Sequence, residues 1–222
     1  EAAEAASQSI LASREALGME RLQTVLLHRV SHARSHGGAI WERLLRLKRE
    51  GMIANLGASV QSPAELLGVM REPEITHVQL PFNLLDWRWG PILNELAGER
   101  RRRSLTVHAR SVYLQGLLVT EEPRLWARAH VENGEAVIEW LAHTSAEYGR
   151  ISVGDLCLAF VASQDWLDGI VVGIDNERQL AENVALIQRA PLRADQVARI
   201  VAERPRLAAA TLDPSSWEAT GT

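Results

Sequence analysis

Short apolar runs alternate along this chain with longer amphipathic segments, at the two spacings that separate strands from helices. Leu22 to Leu27, Ile53 to Ala58, Ile75 to Leu80, Leu105 to Ala109 and Ile170 to Val172 are the apolar runs and predict five strands. Between them the period changes. Ile40, Trp41, Leu44, Leu45 and Leu47 mark one helix face, closed by Gly51. Ser62-Pro63-Ala64-Glu65 opens the next helix with a capping serine, a proline preset for the first turn and a glutamate able to close the box. Further helices are expected near 1–18, 91–102, 134–148 and 152–164. Another should carry Leu180, Val184 and Ile187, and a last one Val197, Ile200 and Val201. Residues 30–38 read as a loop, and the tail from Pro205 as loose.

This alternation predicts an α/β fold with parallel strands and right-handed crossovers. Every strand also ends in polar side chains: His28, then Ser59, Gln79 with Asn83, Arg110 with Ser111, and Gly173 with Asp175. In a (β/α) barrel such exits open on one face, where sites are built. An open doubly wound sheet would carry a glycine-rich phosphate turn after its first strand. No G-x-G-x-x-G occurs, which favours the barrel. The stretch from Thr76 to Asp86 shows the pattern most sharply. A buried strand is stopped by Pro81 and followed by Phe82, Asn83 and Asp86. Two readings stand beside each other there: a ligand site, or a strand exit whose Asn and Asp only cap the next turn.

Composition narrows the rest. The 222 residues suffice for one core, so a single domain over 1–222 is the simplest count. A net charge of −4 gives no general reason to expect nucleic acid or an anionic membrane as partner. No apolar run reaches a membrane span and no signal-peptide pattern is present, so a cytoplasmic protein is expected. The one cysteine, Cys157, lies among apolar helix residues and should be inert. His32 and His36 stand four apart in a loop without acidic neighbours, which argues against a metal site. Arg100 to Arg103 reads as a solvated helix end complementing the dipole. Trp87 and Trp89 either wall a substrate pocket or pack at the rim.

Several segments together resemble the aldo-keto reductases. They are Leu26 to Arg29 (LLHR), Trp41 to Gly57 (WERLLRLKREGMIANLG), Val78 to Asp86 (VQLPFNLLD), Val107 to Leu118 (VHARSVYLQGLL) and Val172 to Asn183 (VGIDNERQLAEN). The resemblance implies a (β/α)8 TIM barrel and hydride transfer between NADP or NAD and a small aldehyde or ketone, with no metal. It begins at the family's third helix and fourth strand, which places strands one to three upstream of Glu1. Of the family's catalytic tyrosine, lysine, aspartate and histidine, only the histidine maps onto this sequence, as His28. Lys48, the single lysine, falls inside a helix. Tyr113 and Tyr148, the only tyrosines, fall at other stations.

By the same resemblance Ser59 and Gln79 would hold the nicotinamide carboxamide, with Val60 where an Asn usually follows the serine. Arg110 would lie against the nicotinamide ring, and Ser111 to Gln115 along the pyrophosphate. Gly173, Ile174, Asp175, Gln179, Glu182 and Asn183 would meet the adenosine side. The helix start near Asn176 would add donors for an anionic ligand. NADP-preferring members place basic side chains where this sequence has Gly173 and Gln179. A rival expectation is a non-catalytic nucleotide-binding barrel. Five strands alone would leave 22–27 and 170–172 as open edges, so more N-terminal sequence or another chain is expected to complete the barrel. Homo-oligomerisation is left open.

Overall fold

The computed structural model describes residues 1–217, which fall into two units: 1–80 with 92–108, and 81–91 with the chain from Ala109 onward. In the first unit, helix α1 (Ala2–Leu17) stops at Gly18, whose left-handed φ of 61° lets its N–H reach back to Glu15 O. Helix α2 (Ala39–Arg49) buries Trp41, Leu44 and Leu47, one stripe at helical spacing. It packs on α1, where Arg43 Nε donates to Ser7 Oγ at 2.6 Å.

Strands β1 (Leu22–Leu27), β2 (Ile53–Ser59) and β3 (Ile75–Pro81) pair in parallel, and β4 (Thr106–Arg110) follows beside β3. Leu22 lies opposite Ile53 and Leu27 opposite Ala58; on the other side Ser59 lies opposite Gln79. At Gly57 the neighbouring strands leave no room for a side chain. A Cβ there would stand 2.2 Å from His77 O and 2.5 Å from a Leu26 methyl, and the β2–β3 register shifts at this point. Helix α3 (Pro63–Val69) starts as expected, with Ser62 Oγ accepting from Glu65 N at 3.3 Å. The glutamate closes the turn one residue early, accepting from Gln61 N at 2.7 Å.

Helix α4 (Leu93–Arg102) corrects one expectation. Arg102 is exposed and pairs with Glu99, but Arg103 is not a solvated end. Its guanidinium donates to the Glu99 carboxylate and to the carbonyls of Met70, Pro73 and Ile75, tying the α4 terminus to the start of β3. Those hydrogen bonds, Arg103 first and then Arg102, hold the Glu99 carboxyl below the usual glutamate range against the opposing effect of burial.

In the second unit β5 (Gly169–Ile170) extends less far than the expected 170–172. Val171 N still donates to Ala109 O at 2.7 Å, but Val171 and Ile174 are exposed, so burial does not hold a longer strand. The helices are α5 (Pro123–Arg128), α6 (Gly134–Glu147), α7 (Val153–Ala162), α8 (Glu177–Ile187) and α9 (Ala194–Glu203). Short α5 was not foreseen. Helix α7 is buried from Asp155 to Val161, Cys157 included, and burial pushes that thiol up to about 12. Helix α8 buries no residue. The tail is not loose over its described part: Thr211 and Leu212 are buried, and Trp217 Nε1 donates to Thr211 O at 3.0 Å. Residues 218–222 lie outside the described residues.

Gly57→Ala should cost about 2–3 kcal/mol, because backbone rather than a flexible side-chain tip blocks the new methyl; the urea midpoint checks it. A carboxyl lowered in the folded state contributes stability that is full above its unfolded pKa and lost as pH falls through the folded value. Glu99→Gln should therefore be less stable than the wild type at neutral pH, with the gap closing below about pH 4. Urea unfolding across that range checks it; a gap of constant size would contradict the argument.

Candidate functional site

In the first unit the parallel register brings three of the expected residues to the ends of adjacent strands. His28 directly follows β1 where Leu27 faces Ala58; Ser59, next on β2, faces Gln79 on β3. The His28 ring is exposed, Ser59 is buried and Gln79 half-buried. Val60 N donates to Gln79 O at 2.9 Å, extending the ladder one residue past β2. Val60 itself is fully buried, so this position serves the core. Lys48 is committed elsewhere, 2.8 Å from Glu74.

In the second unit Arg110 ends β4. Burial pulls its guanidinium below the usual arginine range, and the nearby Asp213 carboxylate opposes that. Its Nη1 donates to Ser111 Oγ at 3.2 Å. The chain then bends tightly: Ser111, Leu114 and Gln115 all have left-handed φ, at 60°, 47° and 55°. Three non-glycine residues in that region cost about 1–2 kcal/mol each. The buried side chains of Val112, Leu114, Leu117 and Leu118 hold the bend in place.

At the start of α8, Asn176 Oδ1 accepts from Gln179 N at 3.0 Å. Gln179 Oε1 in turn accepts from Asp175 N at 2.8 Å, and its amide meets the Asp175 carboxylate at 3.4 Å. Some of the donors expected for an anionic ligand are therefore spent on the cap. Gly173 is exposed, with nothing within 4 Å of a Cβ placed there. Arg178 and Glu182 stand 3.9 Å apart on the surface, a weak pair. Asn183 is held firmly, its Oδ1 accepting from Tyr113 Oη at 3.0 Å. Burial pushes that phenol up to about 12. Sequence reasoning set Tyr113 aside as a proton donor and otherwise placed it only within the Ser111 to Gln115 stretch; no local pattern announces a bond across 70 residues.

The loop after β3 resolves toward its structural reading. Asn83 Oδ1 accepts from Leu85 N at 3.0 Å, and Asp86 Oδ1 from Arg88 N at 3.1 Å. Asp86 is 1% exposed and also accepts from the Arg88 side chain at 2.9 and 2.7 Å and from Trp89 Nε1 at 3.1 Å. Trp89 is buried, while Trp87 donates to Leu207 O at 2.8 Å beneath Arg206, 4.5 Å from its ring. These polar groups fasten a loop. A pocket of about 480 Å³ at the ends of α6 and α8 contains none of the expected site residues. Its Arg150 and Arg189 neutralise buried Asp155 and bond helix-end carbonyls. Among the described residues no His, Cys, Asp and Glu cluster could hold a metal, and no helix is long and apolar enough to cross a membrane.

A family model described as the Aldo/keto reductase family matches residues 2–203. Among solved structures, the aldo-keto reductase AKR11C1 from Bacillus halodurans is similar in its apo form at 17% identity and a TM-score of 0.71, over 93% of this chain and 70% of that one. Its holo form is similar at 18% and 0.71, over 91% and 67%. The glycerol dehydrogenase AKR11B4 from Gluconobacter oxydans is similar at 17% and 0.65, over 94% and 66%. No curated protein matches the chain. These likenesses show the fold, an α/β parallel sheet of the TIM-barrel type.

Asp86→Ala would leave the Arg88 guanidinium, 11% exposed, without its carboxylate. A loss of about 3–5 kcal/mol in unfolding free energy is expected from urea denaturation. A change within experimental error would show that the pair does not hold the loop.

Proposed function

The chain belongs to the aldo/keto reductase family, and we propose that it forms part of an oxidoreductase that reduces aldehyde or ketone carbonyls with a nicotinamide dinucleotide. The observation that supports this most directly is the strand register, which sets His28, Ser59 and Gln79 at the ends of adjacent parallel strands. In this reading the exposed His28 imidazole donates to the carbonyl oxygen and stabilises the charge that develops on it. Ser59 and Gln79 bond the carboxamide and orient the ring. The bound nicotinamide supplies the hydride. The second unit by itself offers Arg110, Ser111 and Gln115 to a ring and pyrophosphate, and Gly173, Asp175, Gln179, Glu182 and Asn183 to an adenosine.

The residues present suit such a group. Asn183 is fixed by a hydrogen bond, and Gly173 leaves open space. They suit a ribose diol better than a 2′-phosphate. Asp175 and Gln179 bring a carboxylate and an amide, and Arg178, the adjacent cation, stands near Glu182. NAD should therefore bind no more weakly than NADP. A cytoplasmic setting suits a chain whose one thiol is buried and unreactive.

A second reading, a nucleotide-binding barrel without catalysis, draws support from one observation. Lys48 is paired with Glu74 and Tyr113 is bound to Asn183, so neither is arranged as an activated proton donor. Calorimetry with NADH and NADPH, followed by oxidation with a test aldehyde, separates the two. In the intact oxidoreductase, where a proton donor accompanies His28, binding with turnover is expected, and His28→Ala should cost turnover on the order of 10²-fold while leaving dinucleotide affinity intact. Binding without turnover selects the second reading, and absence of binding overturns both.

A further inference from the structure

The bend after β4 is a costly piece of backbone whose purpose the strand exits do not explain. Ser111, Leu114 and Gln115 are left-handed within five consecutive residues, followed by Gly116 at φ 84°. The bend is closed by Leu114 N donating to Ser111 O at 2.9 Å and Leu118 N to Tyr113 O at 3.2 Å. Val112 and Leu114, on either side of Tyr113, are buried at 2% and 0% exposure. Tyr113 is thus held from both neighbours. Its ring lies near the first turn of α7, 4.0 Å from where a Cβ on Gly154 would stand.

Helix α8 presents the opposite situation. It buries no residue, and Leu180, Val184 and Ile187 on its apolar face are each close to half exposed. Core packing therefore does little to set the rotation of this helix, and a side chain on it has no rigid seat of its own. The bond from Tyr113 Oη to Asn183 Oδ1, 3.0 Å long, connects the rigid bend to this lightly packed helix.

We propose that Tyr113 is a positioning residue: it occupies the Asn183 carboxamide oxygen, fixes the side chain, and leaves the Asn183 amide to donate to a ring-nitrogen acceptor of a bound adenine. The proposal rests on the preceding reading that Asn183 faces the adenosine end of a dinucleotide. The phenol donates throughout the physiological range, because burial keeps its proton on. With one lone pair of its oxygen engaged by Tyr113, the neutral amide is turned so that its N–H donors are directed to the ligand. Tyr113 itself touches no reacting atom.

Two probes test this on the 222-residue chain by calorimetry: ADP-ribose, which carries the adenosine end, and nicotinamide mononucleotide, which does not. Tyr113→Phe removes the hydroxyl and keeps the ring. ADP-ribose affinity should fall about five- to tenfold, the size of one hydrogen bond. Affinity for nicotinamide mononucleotide should stay within about twofold, because a single hydrogen bond is removed at the other end. An equal loss for both probes would show a merely structural tyrosine and overturn the proposal. So would unchanged ADP-ribose binding. Wild-type protein that binds neither probe would instead refute the dinucleotide reading, and the positioning role with it. Should Tyr113→Phe fail to fold, Asn183→Asp retains the acceptor for Tyr113 but removes the donor. It must show the ADP-ribose loss, and wild-type affinity in that variant counts against the proposal.

Discussion

Parallel pairing is the constraint on which the remainder depends. Two parallel strands cannot be joined by a tight turn; the chain must return to the starting end before it pairs again. Helix α2 makes that return between β1 and β2, and α3 between β2 and β3. Each strand then finishes at the same edge as its neighbour, and whatever side chain follows the last apolar residue arrives there. His28, Ser59 and Gln79 are neighbours for that reason, although tens of residues separate them in the chain. Gly57 is the local condition that lets the ladder close, since His77 and Leu26 leave no room for a methyl group.

Buried charge is handled by a second device. Asp86, Glu99 and Asp155 are all buried, and each meets arginine: Asp86 meets Arg88, Glu99 meets Arg102 and Arg103, Asp155 meets Arg150 and Arg189. With one lysine among 24 basic residues, this chain relies on the group whose planar fork can bond a carboxylate and a backbone carbonyl together. Arg103 does so at the start of β3, Arg88 at Leu212 O. These arginines are fasteners that hold loops and helix ends where the strands need them. The loop from Phe82 to Trp89, polar and aromatic enough to suggest a ligand site, is fastened in this way. Its Phe82 ring is 4.9 Å from Trp166 and 6.0 Å from Phe160, in a well-packed cluster.

The sequence by itself determined what depends on neighbours along the chain. Apolar spacing located the strands and the larger helices to within a few residues. Ser62-Pro63 gave the start of α3, Gly18 the end of α1, and the apolar company of Cys157 its burial. The strand exits were legible too, because a residue's place after a strand is a matter of order. Tertiary structure alone decided what those residues meet. Asn83 and Asp86 turned out to cap their own loop, Arg103 to clamp carbonyls about 30 residues upstream, and Thr211 and Leu212 to be buried in a tail that reads as loose. Val171 ended β5 early for want of cover. The bond from Tyr113 to Asn183 is the clearest instance. Periodicity and capping act over a few residues, whereas burial and long-range hydrogen bonds depend on which distant segment folds alongside, and no local pattern encodes that.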